Sequence, residues 1–375
     1  MAQLSARDIK IPANLLPSDG RFGAGPSRIP AAHVAEIGSS NLLGTSHRQS
    51  PVRALVGEIR EGLADLLRLP AGYEVVLGNG GASAFWALAT VGLVRQHAVH
   101  AVFGEFGSKF AKETDRAPFL APSTVFKAPA GELAVVEAVA GADVYCWPQN
   151  ETSTGVISPV APVVGVDSDA LTVVDATSSA GAVEVDLTGI DVYYFSPQKA
   201  FASDGGLWIA IMSPRAVARV EELAGAGRWV PDFLSLPIAL DNSRKDQTFN
   251  TPALATLVLL RAQVRALLAA GGLAASAARS AAASSHLYEW AQVRPFAAPF
   301  VARPEWRSPV VATIDFEGVD ATALQEALRT NGVYDVFPYR SLGRNQLRVA
   351  TFPATDPADA TALTACLDYL VEALA

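Results

Sequence analysis

Short apolar runs that alternate with helical stretches constrain this chain more than any other feature. Residues 73–77, 98–103, 142–147, 171–176, 191–196 and 206–212 are apolar, β-branched or aromatic with few interruptions, and too short for typical helices. Strands of that kind are buried on both faces, which happens when helices cover both sides of a mainly parallel sheet. Helical periodicity falls between them. Val52, Leu55, Val56, Ile59, Leu63, Leu66 and Leu67 recur at helix spacing over 51–69, and Pro70 ends the run. Further helices are expected over 83–94, around 110–115 and over 252–270, and the Ala-rich run at 271–283 reads as a helix. The chain reads as an α/β protein with a large domain over residues 21–270. An irregular N-terminal segment, 1–20, precedes it and closes on the turn Ser18, Asp19, Gly20. A smaller C-terminal α/β domain is expected over 271–375, from strands at 310–316 and 346–352, a helix at 321–331 and a terminal helix from Pro357.

Composition excludes several classes of function. A net charge of −8 and a pI near 5.2 leave no excess of cations for a general nucleic-acid surface. The two cysteines, Cys146 and Cys366, lie far apart in apolar segments, so a reducing cytoplasm is expected and a disulfide framework is not. The first residues lack the apolar core of a signal peptide, and no run approaches the roughly 20 apolar residues of a membrane helix. No membrane partner and no metal site are expected.

The chain has six lysines against 23 arginines, and Lys199 stands apart from the other five. It follows the apolar run 191–196 and precedes a small-residue turn, FASDGG at 201–206, that leads into another apolar run. A residue at a strand's carboxyl end faces the crevice where open α/β sheets bind ligands. Burial there lowers a lysine pKa from about 10.4 and supplies the neutral amine that a Schiff base requires. Asp175 ends the run 171–175, 24 positions earlier, where a carboxylate can pair with a protonated pyridine nitrogen. The stretch GNGGAS at 78–83 follows a strand and opens a helix, so backbone N–H groups can hold a phosphate. Phe106 follows the next strand and can stack on an aromatic cofactor. His47 and Arg48, and Arg340, Arg344 and Arg348 spaced four apart, suggest a local anion pocket. Taken singly, each element has an ordinary reading: a loop lysine, a turn-capping Asp, a core Phe, solvated arginines. Arg348 is the exception, because it lies inside an apolar strand and needs a specific partner.

The order of these motifs resembles the phosphoserine aminotransferases, in the class V branch of the fold-type-I aminotransferases. The resemblance is carried by FGAGP at 22–26, GTSHR at 44–48, NET at 150–152 with Gly155, VD at 174–175, SPQK at 196–199 and FNTP at 249–252. It covers nearly the whole chain and implies pyridoxal 5'-phosphate as cofactor on a fold-type-I architecture. By resemblance, Lys199 is the Schiff-base lysine and Asp175 the partner of the ring nitrogen. Thr152 bonds the ring hydroxyl oxygen and Phe106 stacks on the ring, where many relatives have Trp. Ala82, Ser83 and Gln198 hold the phosphate, joined by Asn250 and Thr251 from a second subunit, so a homodimer with a shared active site is implied. His47, Arg48 and Arg348 receive the substrates' acidic groups. Many relatives have Arg where Ala82 stands, and a His-Arg pair shortly before the position of Arg348. Here that stretch reads YRSLGRN at 339–345, so either Arg340 or Arg344 fills the role.

The implied reaction is reversible amino transfer between L-glutamate and 3-phosphohydroxypyruvate, giving 2-oxoglutarate and O-phospho-L-serine, a step of serine biosynthesis with a counterpart in pyridoxine biosynthesis. Lys199 serves as general base at the substrate Cα. The alternatives are another class V transaminase, such as an alanine–glyoxylate type, or a non-catalytic sensor on the same fold. A desulfurase needs a reactive cysteine on a mobile loop, which neither Cys146 nor Cys366 supplies. A dinucleotide-binding dehydrogenase needs an acidic residue about 20 positions beyond the glycine loop, and none is placed there for a ribose.

Overall fold

The computed structural model describes residues 6–374. The first five residues of the expected N-terminal segment, and Ala375 at the other end, lie outside the described residues.

Two helices come first, α1 (Ala31–Ser39) and α2 (Ser50–Leu67). The seven apolar positions that predicted α2 are all buried, Pro51 stands in its first turn, and Arg68 closes it in a left-handed conformation. Then follow β1 (Glu74–Asn79), α3 (Ala82–Gly92), β2 (Ala98–Val102), α4 (Glu105–Asp115) and β3 (Thr124–Lys127). Next come β4 (Val144–Pro148), a two-residue ribbon made by β5 (Asn150–Glu151) and β6 (Val156–Ile157), then β7 (Leu171–Asp175), β8 (Val192–Phe195) and β9 (Leu207–Met212). Every residue of β2, β4, β7, β8 and β9 is buried, as uninterrupted apolar runs require. Helices α5 (Pro214–Ala224), α6 (Leu236–Ser243), α7 (Leu254–Ala269) and α8 (Gly272–Gln292) follow. The chain ends with β10 (Ala297–Pro299), β11 (Val311–Phe316), α9 (Ala321–Thr330), β12 (Gln346–Ala350) and α10 (Pro357–Leu374).

The large sheet has the order β1-β9-β8-β7-β4-β2-β3. It is mostly parallel, with one departure from uniformity: β9 runs antiparallel to both β1 and β8. The connection from β8 to β9 holds no covering helix, and without a long crossover a strand returns antiparallel. That short connection carries Lys199. Its neighbours β7, β4 and β2 run parallel to β8, so the loops after β2, β4, β7 and β8 share one edge of the sheet. β1, antiparallel to β9, runs in the same direction and delivers the glycine loop to that edge.

Sequence periodicity missed α1, α5 and α6, and the Ala-rich run extends as α8 to Gln292. Ser213 caps α5 by accepting from the Ala216 N–H, with Pro214 in the first turn. β10, β11 and β12 form a separate antiparallel sheet. Its apolar face packs with α8, α9 and α10, and Ile9 and Ile11 from the N-terminal segment, with Phe22 just after it, are buried in that same cluster. Asp359 of α10 ties the segment down, accepting from Ser18 N–H at 2.8 Å and from Arg28 at 2.7 Å. Among the described residues, no single helix is long and apolar enough to cross a membrane.

Candidate active site

A cavity of about 300 Å³ opens at the edge of the large sheet where β1, β2, β4, β7 and β8 end. Lys199, Asp175, Thr152, Phe106, Gln198, Ala82, Ser83 and Arg348 all line it, so the structure brings together eight of the residues singled out from sequence. A second hollow of about 750 Å³ adjoins it, sharing Ala24, Gly25, Tyr339 and Arg348 and adding Arg340.

Lys199 lies four positions past β8, with its Nζ donating to Thr152 Oγ1 at 3.0 Å. Burial, reinforced by the like charge of Arg348, lowers its pKa to about 8, against the opposing pull of Asp175 and Glu151. The amine therefore holds a neutral fraction near neutrality that an exposed lysine, with a pKa of about 10.4, lacks. Gly25 crosses over it at φ +138°, and a Cβ there would sit 3.0 Å from Lys199 Cε. The positive φ favours glycine at that point, and a Cβ would crowd the Lys199 side chain. Ser27 fixes the crossing by donating its hydroxyl to the Lys199 carbonyl and its N–H to the Gln198 carbonyl at 2.8 Å.

Asp175 is the last residue of β7, and its carboxylate accepts from the Thr177 N–H at 2.9 Å and the Trp86 indole at 3.4 Å. Trp86 also donates to Tyr194 Oη at 2.9 Å, and Tyr194 is the cross-strand neighbour of Asp175. Thr152 donates to Ser178 Oγ at 2.9 Å, which leaves its oxygen oriented toward the lysine. α3 begins at Ala82 with no side-chain cap, so its first N–H groups face the cavity. Three buried polar atoms of residues on the wall, Asn150 Oδ1, Thr177 Oγ1 and Gln198 Oε1, lack hydrogen-bond partners. Orphaned polar atoms of that kind mark a place for a polar ligand.

Arg348 comes from β12 of the small sheet, opposite Thr313. It donates to the Thr152 carbonyl at 3.1 Å, its Nε has no partner, and the Tyr339 ring lies 5.2 Å from its guanidinium carbon. Burial works against its charge, the Glu151 charge supports it only in part, and among the described residues no carboxylate lies within ion-pair distance of it. A buried guanidinium without an ion-pair partner is a seat for an anion.

Arg344 is not in this company. Its guanidinium pairs with Asp315 and lies over the Phe300 ring, at 4.5 Å from the centroid. The strand register explains it: Asp315 stands opposite Gln346, which brings Arg344 alongside Asp315 and away from the cavity. Of the two arginines left open by the sequence, Arg340 is the one on the rim.

His47, Arg48, Asn250 and Thr251 do not line this chain's cavity. They form a second cluster, in which Thr251 Oγ1 meets His47 Nδ1 at 3.1 Å and Asn79 holds the Asn250 N–H at 3.2 Å. Burial and the Arg48 charge lower the His47 pKa, and its Nε2 is buried without a partner. Arg48 is exposed and reaches Gln247 at 3.4 Å. The sequence missed Trp86, Thr177, Ser178 and Tyr339. Trp86 sits among apolar helix residues that read as core, whereas Thr177 and Ser178 carried a usable signal, lying directly after a strand-end aspartate.

The mixed sheet, the strand-end lysine and the carboxylate beside it define a class of protein, the fold-type-I aminotransferases. The family model for class-V aminotransferases matches residues 139–334. A curated phosphoserine aminotransferase of a Nocardioides species is 54% identical over 370 residues, covering 98% of this chain and 99% of the relative. The chain belongs to the phosphoserine aminotransferase family of class V. Among solved structures, a phosphoserine aminotransferase of Cytophaga hutchinsonii superposes with a TM-score of 0.85 at 22% identity, over 94% of this chain and 99% of that one. A pyridoxal-phosphate-bound phosphoserine aminotransferase of Trichomonas vaginalis does so with a TM-score of 0.78 at 19% identity, over 93% and 99%.

Proposed function

We propose that this chain catalyses reversible amino transfer between L-glutamate and 3-phosphohydroxypyruvate in the cytoplasm, using pyridoxal 5'-phosphate, as a homodimer with shared sites. The observation that carries the reading is a single cavity in which the desolvated Lys199 amine, the Asp175 carboxylate and an Arg348 without an ion-pair partner meet. The residues present fit the cofactor. Its phosphate would be held by the uncapped start of α3 at Ala82 and Ser83 and by Gln198, and its ring would lie against Phe106.

When bound, the cofactor supplies a reactive carbonyl and an electron-accepting ring. Lys199 would be its point of covalent attachment and, once freed by the amino donor, would carry a proton to and from the substrate Cα. Asp175 would hold the proton on the ring nitrogen, and its bonds from Trp86 and the Thr177 N–H keep it aimed. Thr152 would orient the ring hydroxyl. Arg348 would clamp a substrate carboxylate, and Arg340, at the rim, would meet the second acidic group. Glutamate and the phosphorylated keto acid both carry two acidic ends, so one arginine-lined pocket serves each in turn.

The His47, Arg48, Asn250 and Thr251 cluster is assigned to the cavity of a second copy, where Asn250 and Thr251 would reach the cofactor phosphate and His47 and Arg48 the substrate. In this reading residues 21–270 form the large domain and 271–375 the small one. Two experiments test the proposal. With glutamate as donor, turnover should be strong with the phosphorylated keto acid and weak with pyruvate or glyoxylate; the opposite preference would favour an alanine–glyoxylate activity. Lys199→Ala and Thr251→Ala, each impaired alone, should regain activity when mixed and re-associated, because a mixed dimer contains one intact site. No recovery would refute shared sites.

A further inference from the structure

Glu151 is a buried carboxylate that the chemistry above does not use. It is completely buried in the ribbon strand β5, one residue before Thr152. Its Oε2 accepts from the Phe106 N–H at 3.0 Å and the Gly107 N–H at 3.1 Å. Its Oε1 accepts from the Ser153 N–H at 3.1 Å and the Ser153 hydroxyl at 2.7 Å. The Ser153 oxygen in turn accepts from the Glu105 N–H at 3.0 Å. A helix leaves its first N–H groups without partners inside itself. In α4 the first three, those of Glu105, Phe106 and Gly107, all find acceptors on residues 151–153. Gly104, the residue before α4, has no side chain to offer. Nor is there room for one: a Cβ there would fall 2.3 Å from Glu151 Cγ and 2.5 Å from Ser153 Oγ.

Every partner of Glu151 is a donor. An ionised carboxylate only accepts, whereas a protonated one would present an O–H with no acceptor beside it. Burial, with the Asp175 charge, raises the Glu151 pKa and the bonds from Ser153 and Gly107 oppose that rise; it is the all-donor geometry that suits the anion. The charged groups that face it are Asp175 at the end of β7, Lys199 after β8 and Arg348 on β12. Two buried cations and two buried carboxylates thus act on one another around the cavity, with Glu151 behind the wall between Asn150 and Thr152, which line it. The helix end that Glu151 caps carries Phe106, whose ring centroid is 5.3 Å from Lys199 Nζ and 5.9 Å from the Tyr339 ring.

We propose that Glu151 is a positioning residue for the amino-transfer site: it caps α4 from outside the helix, which fixes Phe106 against Lys199, and it holds the second negative charge that balances Lys199 and Arg348. The inference rests on the assignment of Lys199 and pyridoxal phosphate made above. It separates two properties, charge and reach, that two variants remove in turn.

The test uses the holoenzyme and reads the pH midpoint of the cofactor's visible absorbance together with the cofactor dissociation constant. Glu151→Gln removes the charge, which disfavours the protonated cofactor–lysine nitrogen, so the midpoint should fall by about one pH unit. Glu151→Asp keeps the charge but withdraws it from α4. Its midpoint should stay close to that of the parent while the cofactor binds several-fold more weakly, since Phe106 loses its anchor. An unmoved midpoint in Glu151→Gln overturns the electrostatic role. Parental cofactor affinity in Glu151→Asp overturns the capping role, and decides that point even where Glu151→Gln does not fold. A parent enzyme with no visible cofactor band would sink the underlying assignment and this inference with it.

Discussion

The two sides of the cavity are built on different principles. The wall formed by Lys199, Asp175 and Thr152 belongs to strand ends of one rigid sheet, and its polar groups answer one another: Lys199 to Thr152, Thr152 to Ser178, Asp175 to Thr177 and Trp86. The mouth formed by Tyr339, Arg340 and Arg348 comes from the small sheet and the irregular segment before β12, and its cations lack carboxylate partners among the described residues. A wall whose groups satisfy one another presents a preorganised constellation, whereas unsatisfied cations wait for an anion from solution. The proposed division of labour, chemistry at the wall and recognition at the mouth, rests on that difference.

That division predicts a graded series of effects. Lys199→Ala should lower turnover by about 10²- to 10⁴-fold or more, the range for removing a positioned proton carrier, and a loss of only a few-fold would dissolve the distinction. Arg348→Ala should act mainly on KM for both substrates, with kcat/KM falling about 30-fold or more, because truncating a buried hydrogen-bonded charge costs about 2–5 kcal/mol. A pure kcat effect would move Arg348 from the mouth to the wall. Arg340→Ala, at an exposed rim, should raise KM for the phosphorylated substrate by several-fold. Arg344→Ala should leave kcat/KM unchanged and cost about 1 kcal/mol or less of stability, as loss of a surface pair with Asp315 does. Steady-state kinetics and thermal unfolding of the three arginine variants check the order.

The pH behaviour sharpens the same contrast. In cofactor-free protein, reductive methylation of Lys199 followed by mass spectrometry should accelerate as pH rises through about 8, where the amine loses its proton. The sign follows from the cause, since burial and Arg348 depress the pKa and so enlarge the neutral, reactive fraction at a given pH. A profile centred near 10.4 would mean that the amine is solvated.

Legibility in the sequence followed the same line. Lys199 and Asp175 stood out because Asp175 closes an apolar run and Lys199 follows one closely, and in a parallel arrangement such ends converge on one edge. The mouth did not stand out. Arg340, Arg344 and Arg348 are spaced four apart, but a short 3-10 turn holds Arg340 and a strand holds Arg348, so equal spacing gave no common direction. Whether Arg344 joined the site depended on the register that sets Asp315 beside it, a contact 29 residues away in the chain. Trp86 was hidden for a related reason: a helical aromatic among Phe85 and Leu88 looks like core, and only the fold shows its indole N–H turned toward Asp175. The antiparallel β9 was equally unreadable, because an apolar run carries no mark of its direction.

The central claim is that the Lys199 amine is the one that joins the cofactor. Borohydride reduction of the purified enzyme, followed by peptide mapping, tests it directly. A phosphopyridoxyl mass on the peptide that contains Lys199, and on no other lysine, is the predicted result. Label on Lys109 or Lys112 of α4 instead, or no stoichiometric label anywhere, would contradict the account.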